Sequence, residues 1–545
     1  MSDRARLREA IAGAFKYRDR DGAVIIDQSG SQSRWIADFR SIVLRSEWLN
    51  LYAKLFWETY GNRYPFQVAG METVGIALVA AIVMKGAEIG KPVNGFFIRK
   101  SRKKDGLMRA IEGTLTKEPV ILVDDLINSG NTFDKQLLLL DGMGLSVTDI
   151  FAALRFRPTE AYTFAQERNI AVTALFSLKD FGLPLRPVSE PVVPHSSFSK
   201  LWHYQAPHPS LQVVAEKSAP TLFENLVLFG CDDGVLRALD TESGTLVWEF
   251  TIGRHRGGKG ILSSPAVHDD VVYFGGYDGN VYALDARTGK KKWSYEEADW
   301  VGSSPAIDIA RGRLYIGLEF GLFGKKGGIV ALKLADGSEI WRDTTVAFTH
   351  GSPLYIPEED MVVIGSNDHI VYAYDAGNGA RLWTFATDGD IKSKPAYDTK
   401  RRHIVVNSMD GSCYVLRARD GEPLFAKEAE FGFYSSPLIH GDTIYSASLD
   451  KTLYAFNAET YADEWVFETQ GRIFSSPTLF DDSLWVGSND GRLYELNPQT
   501  GALKNFFQAT ERIVNAPVYE VSSQRIFVPT QANEIYCIKK EFVQH

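Results

Sequence analysis

Residues 277–293 read YDGNVYALDARTGKKKW, and this stretch decides the architecture of most of the chain. A turn on Asp278-Gly279 leads into alternating apolar residues, and Trp293 opens the segment that follows, which is the pattern of β-hairpins. The turn and its apolar run recur at 232–240 (DDGVLRALD) and 367–375 (NDHIVYAYD), and with variation in MDGSCYVLR, LDKTLYAFN, NDGRLYELN, ANEIYCIK and, at 327–333, GGIVALK. Between the runs a small residue followed by proline recurs eight times, at Pro220, Pro265, Pro305, Pro353, Pro395, Pro437, Pro477 and Pro517. Repetition of this kind predicts a repeat architecture.

Each unit ends on a bulky aromatic that opens its last strand: Trp248, Trp293, Trp341, Trp383, Phe425, Trp465 and Phe506. Only seven follow Pro220; the eighth, Trp202, precedes the first unit. A chain whose last unit lacks a final strand, and whose leading flank supplies a spare one, closes a ring by pairing the two, and its sheet edges vanish. The expectation is an all-β propeller of eight four-stranded blades over residues 200–545, the last blade joining strands from 517–540 to the strand around Trp202.

The run from Ala283 to Trp293 resembles the A-x-D-x-x-T-G-x-x-x-W signature of pyrroloquinoline-quinone-type propellers. That fold carries quinone dehydrogenases and interaction scaffolds alike. The dehydrogenases of that family are exported and often carry an adjacent cysteine pair. Here Cys231, Cys413 and Cys537 stand far apart, so no quinone is expected and a quinone-dependent dehydrogenase is the disfavoured reading. The tryptophans read as blade-to-blade packing.

A length of 545 residues exceeds what one core organises and predicts at least two domains. Charge is uneven as well: residues 1–200 carry 27 Lys+Arg against 22 Asp+Glu, and the remainder 32 against 46. The boundaries expected are a first domain at 1–182, a connector at 183–199 holding Pro184, Pro187, Pro191 and Pro194, and the propeller at 200–545. An odd number of scattered cysteines fits a reducing compartment. The first fifteen residues alternate charge with apolar residues, unlike a signal peptide. The apolar stretch Thr73 to Met84 is too short for a bilayer and reads as a buried core helix. A cytoplasmic protein without membrane contact follows. His195, His203 and His208 near the connector lack the cysteine or carboxylate spacing of a metal site. The acidic propeller argues against a nucleic-acid ligand and leaves a protein partner as its expected occupant.

The chemistry lies in the first domain, where residues 120–132 read VILVDDLINSGNT. An apolar strand, the pair Asp124-Asp125, a small-residue loop and an apolar-periodic helix follow one another. A loop at a helix N-terminus gathers unpaired backbone N–H groups on an anion, and Gly130 allows close approach. Ser129 and Thr132 add hydroxyls. The two carboxylates suit ribose hydroxyls and a hydrated Mg²⁺. Receiver domains and phosphatases also place acidic pairs after strands, without the hydroxyl-rich turn behind.

This segment resembles the phosphoribosyl-pyrophosphate (PRPP) loop of type I phosphoribosyltransferases. Three further segments resemble the orotate subgroup: SGSQSRWIADFR at 29–40, VAGMETVGIALVAA at 68–81 and FFIRKSRKKDG at 96–106, followed by Glu112-Gly113. The resemblance implies a mainly parallel α/β sheet flanked by helices and Mg²⁺-dependent transfer of phosphoribosyl from PRPP to a nitrogenous base. It implies catalytic roles for Lys103, Asp124 and Asp125. Glu72, Thr73, Arg99 and Lys100 would hold pyrophosphate, and Asn128, Ser129, Gly130, Asn131 and Thr132 the 5-phosphate. Trp35, Asn128 and Arg155 would face the base. It also implies a possible homodimer, and Mg²⁺ brought mainly by PRPP with no separate metal site. Cations on a mobile loop suit the charge that grows on the leaving pyrophosphate. Two departures, Asp105 where the subgroup has histidine and Gln32 where it has lysine, each remove positive charge. They leave a second reading open, a weakened PRPP- or nucleotide-sensing module with the propeller as interaction platform.

Overall fold

The computed structural model describes residues 1–17, 35–39, 42–71, 74–99, 111–128, 130–183, 185, 198–206, 218–253, 260–321 and 326–540. Contacts divide the chain into two compact units, Met1–Val192 and Val193–His545.

The first unit begins with α1 (Asp3–Ala14), capped by Ser2 Oγ accepting from Ala5 N at 3.2 Å. A two-stranded ribbon pairs β1 (Phe15–Tyr17) with β2 (Trp35–Ala37). In α2 (Ser46–Tyr60), Trp48, Leu51, Tyr52, Leu55 and Phe56 recur at helical spacing and are buried. The sheet follows: β3 (Gln67–Met71), α3 (Val74–Glu88), β4 (Gly95–Ile98), β5 (Ile111–Gly113), β6 (Val120–Ile127), α4 (Asn131–Gly142), β7 (Val147–Arg155), α5 (Thr163–Glu167) and β8 (Ala171–Ser177). Its order is β5-β4-β3-β6-β7-β8, with only β5 antiparallel to its neighbour.

Residues of one strand serve two cores. Val68, Ile121 and Val123 pack with Leu78 and Ile82 of α3 and with α2, while Ala69 and Leu122 pack with Phe133, Leu137 and Leu140 of α4. The unit is therefore a three-layered α/β domain, a mainly parallel sheet flanked by helices as expected. The stretch expected as a buried core helix is α3, which buries one face against the sheet. Leu78, Val79 and Ile82 cover the sheet, whereas Ile76 and Met84 are 38% and 73% exposed on the opposite face.

In the second unit eight antiparallel four-stranded sheets form the propeller. The eighth consists of Val518–Glu520, Arg525–Pro529, Glu534–Lys540 and, as its outer strand, Phe198–Gln205, with Trp202 opposite Cys537. Indole N–H groups tie successive blades. Trp202 donates to Thr241 O at 3.1 Å, Trp248 to Ala286 O at 3.1 Å, Trp293 to Leu334 O at 2.9 Å and Trp383 to Ala418 O at 2.8 Å. Each of these rings also lies against a left-handed turn glycine of the next blade, such as Gly289 under Trp248, where an added Cβ would stand 2.6 Å from the ring.

Phe506 does not hold the equivalent place in the seventh blade. Register puts Asn505 there, opposite Glu495, with Phe506 one residue on, opposite Tyr494. The reason is topological: the eighth blade takes its outer strand from residues 198–205, so no hairpin turn exists there to receive an indole. Lys540 instead reaches Glu495 at 2.6 Å, and Ser483 donates to the same carboxylate at 2.7 Å.

Candidate functional site

In the parallel core, β3 leads through α3 to β4 on one side, and β6 leads through α4 to β7 on the other. Strands β3 and β6 lie parallel, but the connections that follow them wind to opposite sides of the sheet, and in open α/β sheets ligands bind at such a switch point, beyond the carboxyl ends of the strands. Register aligns Gly70 with Val123 and Val123 with Phe151, so those strands end at one edge. Met71, the residue before Glu72, lies opposite Ile98, the residue before Arg99.

β6 is apolar and buried through Val123 and then carries the acidic pair. It continues past the pair: Leu126 and Ile127, read from sequence as loop, stay in the strand opposite Leu154 and Arg155. Val123 and Leu126 pack in the same core, so side-chain alternation slips at Asp124-Asp125. Each carboxylate collects the next backbone amide: Asp125 N donates to Asp124 Oδ1 and Leu126 N to Asp125 Oδ1, both at 2.9 Å. Such bonds offset the repulsion of two adjacent anions.

Tyr52 fixes this bend from behind. Its hydroxyl donates to Asp124 O at 3.0 Å and to Phe151 O at 3.3 Å, spanning β6 and β7. Burial first, and then the negative charge of Asp124 and Asp125, pushes its phenol well above the usual tyrosine value. It therefore stays a donor.

Gly130 caps α4 with φ 90° and ψ −5°, a conformation that favours glycine. A Cβ there would stand 2.2 Å from Cε1 of Phe164, so the position excludes side chains twice over. Asn128 Oδ1 is buried without a donor among the described residues. At the β3–α3 connection, a Cβ on Gly70 would meet Gly75 Cα at 2.9 Å, and one on Gly75 would meet Gly70 C at 2.7 Å. This contact brings the start of α3 against the end of β3.

Arg99, directly after β4, lies 3.7 Å from Glu112. Arg155 ends β7 beside Ile127 and donates to Arg157 O at 2.7 Å. Arg99, Asp124, Asp125, Asn128, Gly130 and Arg155 thus share the carboxyl edge of neighbouring strands. Trp35 lies in the separate β1–β2 ribbon. Its side chain and those of Asn131 and Thr132 are outside the described residues, as are Gln32, Glu72, Thr73, Lys100, Lys103, Asp105 and Ser129. Sequence reading missed Tyr52 and Phe164. Tyr52 is one aromatic among several on α2 and carries no motif, and Phe164 lies far along the chain from the glycine it covers. Among the described residues no group of three or more His, Cys, Asp or Glu stands together as a metal cage.

Comparison with known proteins follows the same division. The N-terminal third matches orotate phosphoribosyltransferases. That of Bradyrhizobium sp. (strain BTAi1) is 26% identical over 185 residues, 33% of this chain and 97% of the relative. That of Corynebacterium glutamicum (strain R) is 29% identical over 156 residues, 28% of this chain and 83% of the relative. The crystal structure of BamB from Moraxella catarrhalis superposes with a TM-score of 0.51 at 18% identity, over 64% of this chain and 99% of that one, a likeness of fold. The PQQ_2 family, described as outer membrane protein assembly factor BamB, matches residues 197–261, 258–356 and 366–516. Through those repeats, which take up more than half of its length, the chain belongs to that family, with a phosphoribosyltransferase-type domain in front of them.

Proposed function

We propose that the first unit is a Mg²⁺-dependent phosphoribosyltransferase moving the 5-phosphoribosyl group of PRPP to a nitrogenous base, orotate or a related heterocycle. The observation that carries this reading is the meeting, at one topological switch point, of the acidic pair Asp124-Asp125 with the left-handed Gly130 at the start of α4. A nitrogen of the base attacks ribose C1, the bond from C1 to the pyrophosphate oxygen breaks, and the electron pair leaves with pyrophosphate.

Asp124 and Asp125 orient the ribose hydroxyls. Main-chain amides of 129–132 and the hydroxyls of Ser129 and Thr132 hold the 5-phosphate. Glu72, Thr73, Arg99 and Lys100 take the pyrophosphate, and Lys103 brings a further cation to it in the transition state. Asp124 and Asp125, oxygen donors of the kind a hydrated hard cation takes, would hold the Mg²⁺ that PRPP carries, whose chemistry is to neutralise pyrophosphate charge. Trp35, Asn128 and Arg155 face the base, and the unsatisfied Oδ1 of Asn128 suits an N–H of the acceptor. The exposed Ile76 and Met84 on α3 support a homodimer through that face. Three buried free cysteines support a cytoplasmic setting, and the acidic propeller a protein partner, without nucleic acid or membrane.

A second reading, a PRPP or nucleotide sensor, is favoured by the ion pair of Arg99 with Glu112, which engages a cation proposed for pyrophosphate. Pyrophosphate release from PRPP and Mg²⁺ over a panel of bases separates the two. Release with one base supports transfer; PRPP binding without release under any base supports sensing.

A further inference from the structure

Each inner strand of the propeller begins directly after one of the eight prolines, and the residues before those prolines are Ala219, Ser264, Ser304, Ser352, Lys394, Ser436, Ser476 and Ala516. Five of these, from Ser264 to Ser436, line one cavity of about 280 Å³ together with Lys392, His350 and Tyr434. The serines are linked blade to blade. Ser264 N donates to Ser304 Oγ at 2.9 Å, Ser304 N to Ser352 Oγ at 3.0 Å, Lys394 N to Ser436 Oγ at 3.0 Å and Ser436 N to Ser476 Oγ at 2.9 Å. Each of these hydroxyls accepts an amide and keeps its own proton to donate. Among the described residues nothing takes the protons of Ser304, Ser352 and Ser436.

Lys394 breaks the serine series and places an ammonium in the same ring. Neighbouring basic side chains have acidic partners: Lys392 Nζ lies 3.2 Å from Asp390, and His350 Nδ1 lies 2.9 Å from Glu319. No carboxylate of the described residues pairs with Lys394, whose side chain opens into the cavity. An exposed ammonium at the mouth of a cavity ringed by hydroxyls with protons to give presents the donors of an anion site.

We propose that this cavity binds a small multivalent oxyanion, with Lys394 Nζ as its charged anchor and the hydroxyls of Ser352 and Ser436, one blade to either side, as donors. Phosphate and carboxylate groups share this chemistry. The inference is independent of the transferase reading.

The test is calorimetric titration of the full chain with inorganic pyrophosphate and, separately, with citrate, comparing wild type, Lys394→Ser and Lys394→Arg. Serine is what the flanking blades carry, so the variant keeps the ring, and an unchanged melting temperature checks this. The first unit is identical in all three proteins, so any pyrophosphate bound there is common to them. The expected result is a binding event that Lys394→Ser weakens about tenfold or more, as loss of a charged hydrogen-bond donor does, and that Lys394→Arg retains. Sensitivity with pyrophosphate identifies a phosphate ligand, and with citrate a carboxylate. Identical titrations of wild type and Lys394→Ser with both anions would overturn the proposal.

Discussion

The ring of Tyr461 lies flat on that of Phe425, centroids 4.7 Å apart and planes within 2°. Six other blade junctions place an indole on a turn glycine: Trp202 on Gly244, Trp248 on Gly289, Trp293 on Gly337, Trp341 on Gly379, Trp383 on Gly421 and Trp465 on Gly501. At this junction both partners are exchanged. Tyr461 takes the glycine's place and keeps its left-handed backbone at φ 58°, while the smaller Phe425 leaves room for the added ring.

The pair should therefore behave as a unit. Phe425→Trp alone overfills the junction and is expected to cost about 1–3 kcal/mol. Combined with Tyr461→Gly, most of that loss should return, giving a coupling of about 1–2 kcal/mol in a double-mutant cycle read by denaturant unfolding. Additive effects would show that the two rings pack independently.

Gly130→Ala should lower stability by about 2 kcal/mol or more, from the left-handed backbone and the collision with Phe164 together. Phe164→Ala in the same chain relieves the collision and leaves the backbone strain. Phe164 is itself buried, and its loss alone should cost about 3–5 kcal/mol; in the Gly130→Ala background it should cost about 1 kcal/mol less than in wild type, a coupling read in a double-mutant cycle by denaturant unfolding.

Tyr52→Phe removes one hydroxyl from two backbone carbonyls and should destabilise by about 1 kcal/mol. Tyr52 is a positioning residue, and its loss lets Asp124 shift. The expected signature is a several-fold fall in kcat at nearly constant KM for the base, where general loosening would reduce only the melting temperature.

Met84→Asp places a charge on the exposed apolar face of α3. Sedimentation should show self-association of the wild type through this face and a variant weakened in it about tenfold or more, with the fold unchanged. A wild type that sediments as a monomer at all concentrations would remove this face as an interface.

Eight blades were legible because the turn chemistry is repeated in sequence. Asp278, Asp368, Asp410, Asp450 and Asp490 each hold a tyrosine four residues on, as in Asp450 with Tyr454 at 2.7 Å. Asn505 was not legible, since Phe506 is the nearby aromatic and only strand register separates them. In the first unit the acidic pair and Gly130 announce themselves through residue type. The extension of β6 to Ile127 depends on pairing with β7, a contact between segments distant in sequence. Tyr52 and Phe164 were hidden for the same reason, because they act through tertiary neighbours.

The most direct measurement is the initial rate of pyrophosphate release from PRPP, Mg²⁺ and the preferred base by wild type, Asp124→Asn and Asp125→Asn. Release that requires the base, and that falls about a hundredfold in at least one variant, is the predicted result. Release unaffected by both substitutions, or a wild type that neither binds PRPP nor releases pyrophosphate with any base, would contradict the account.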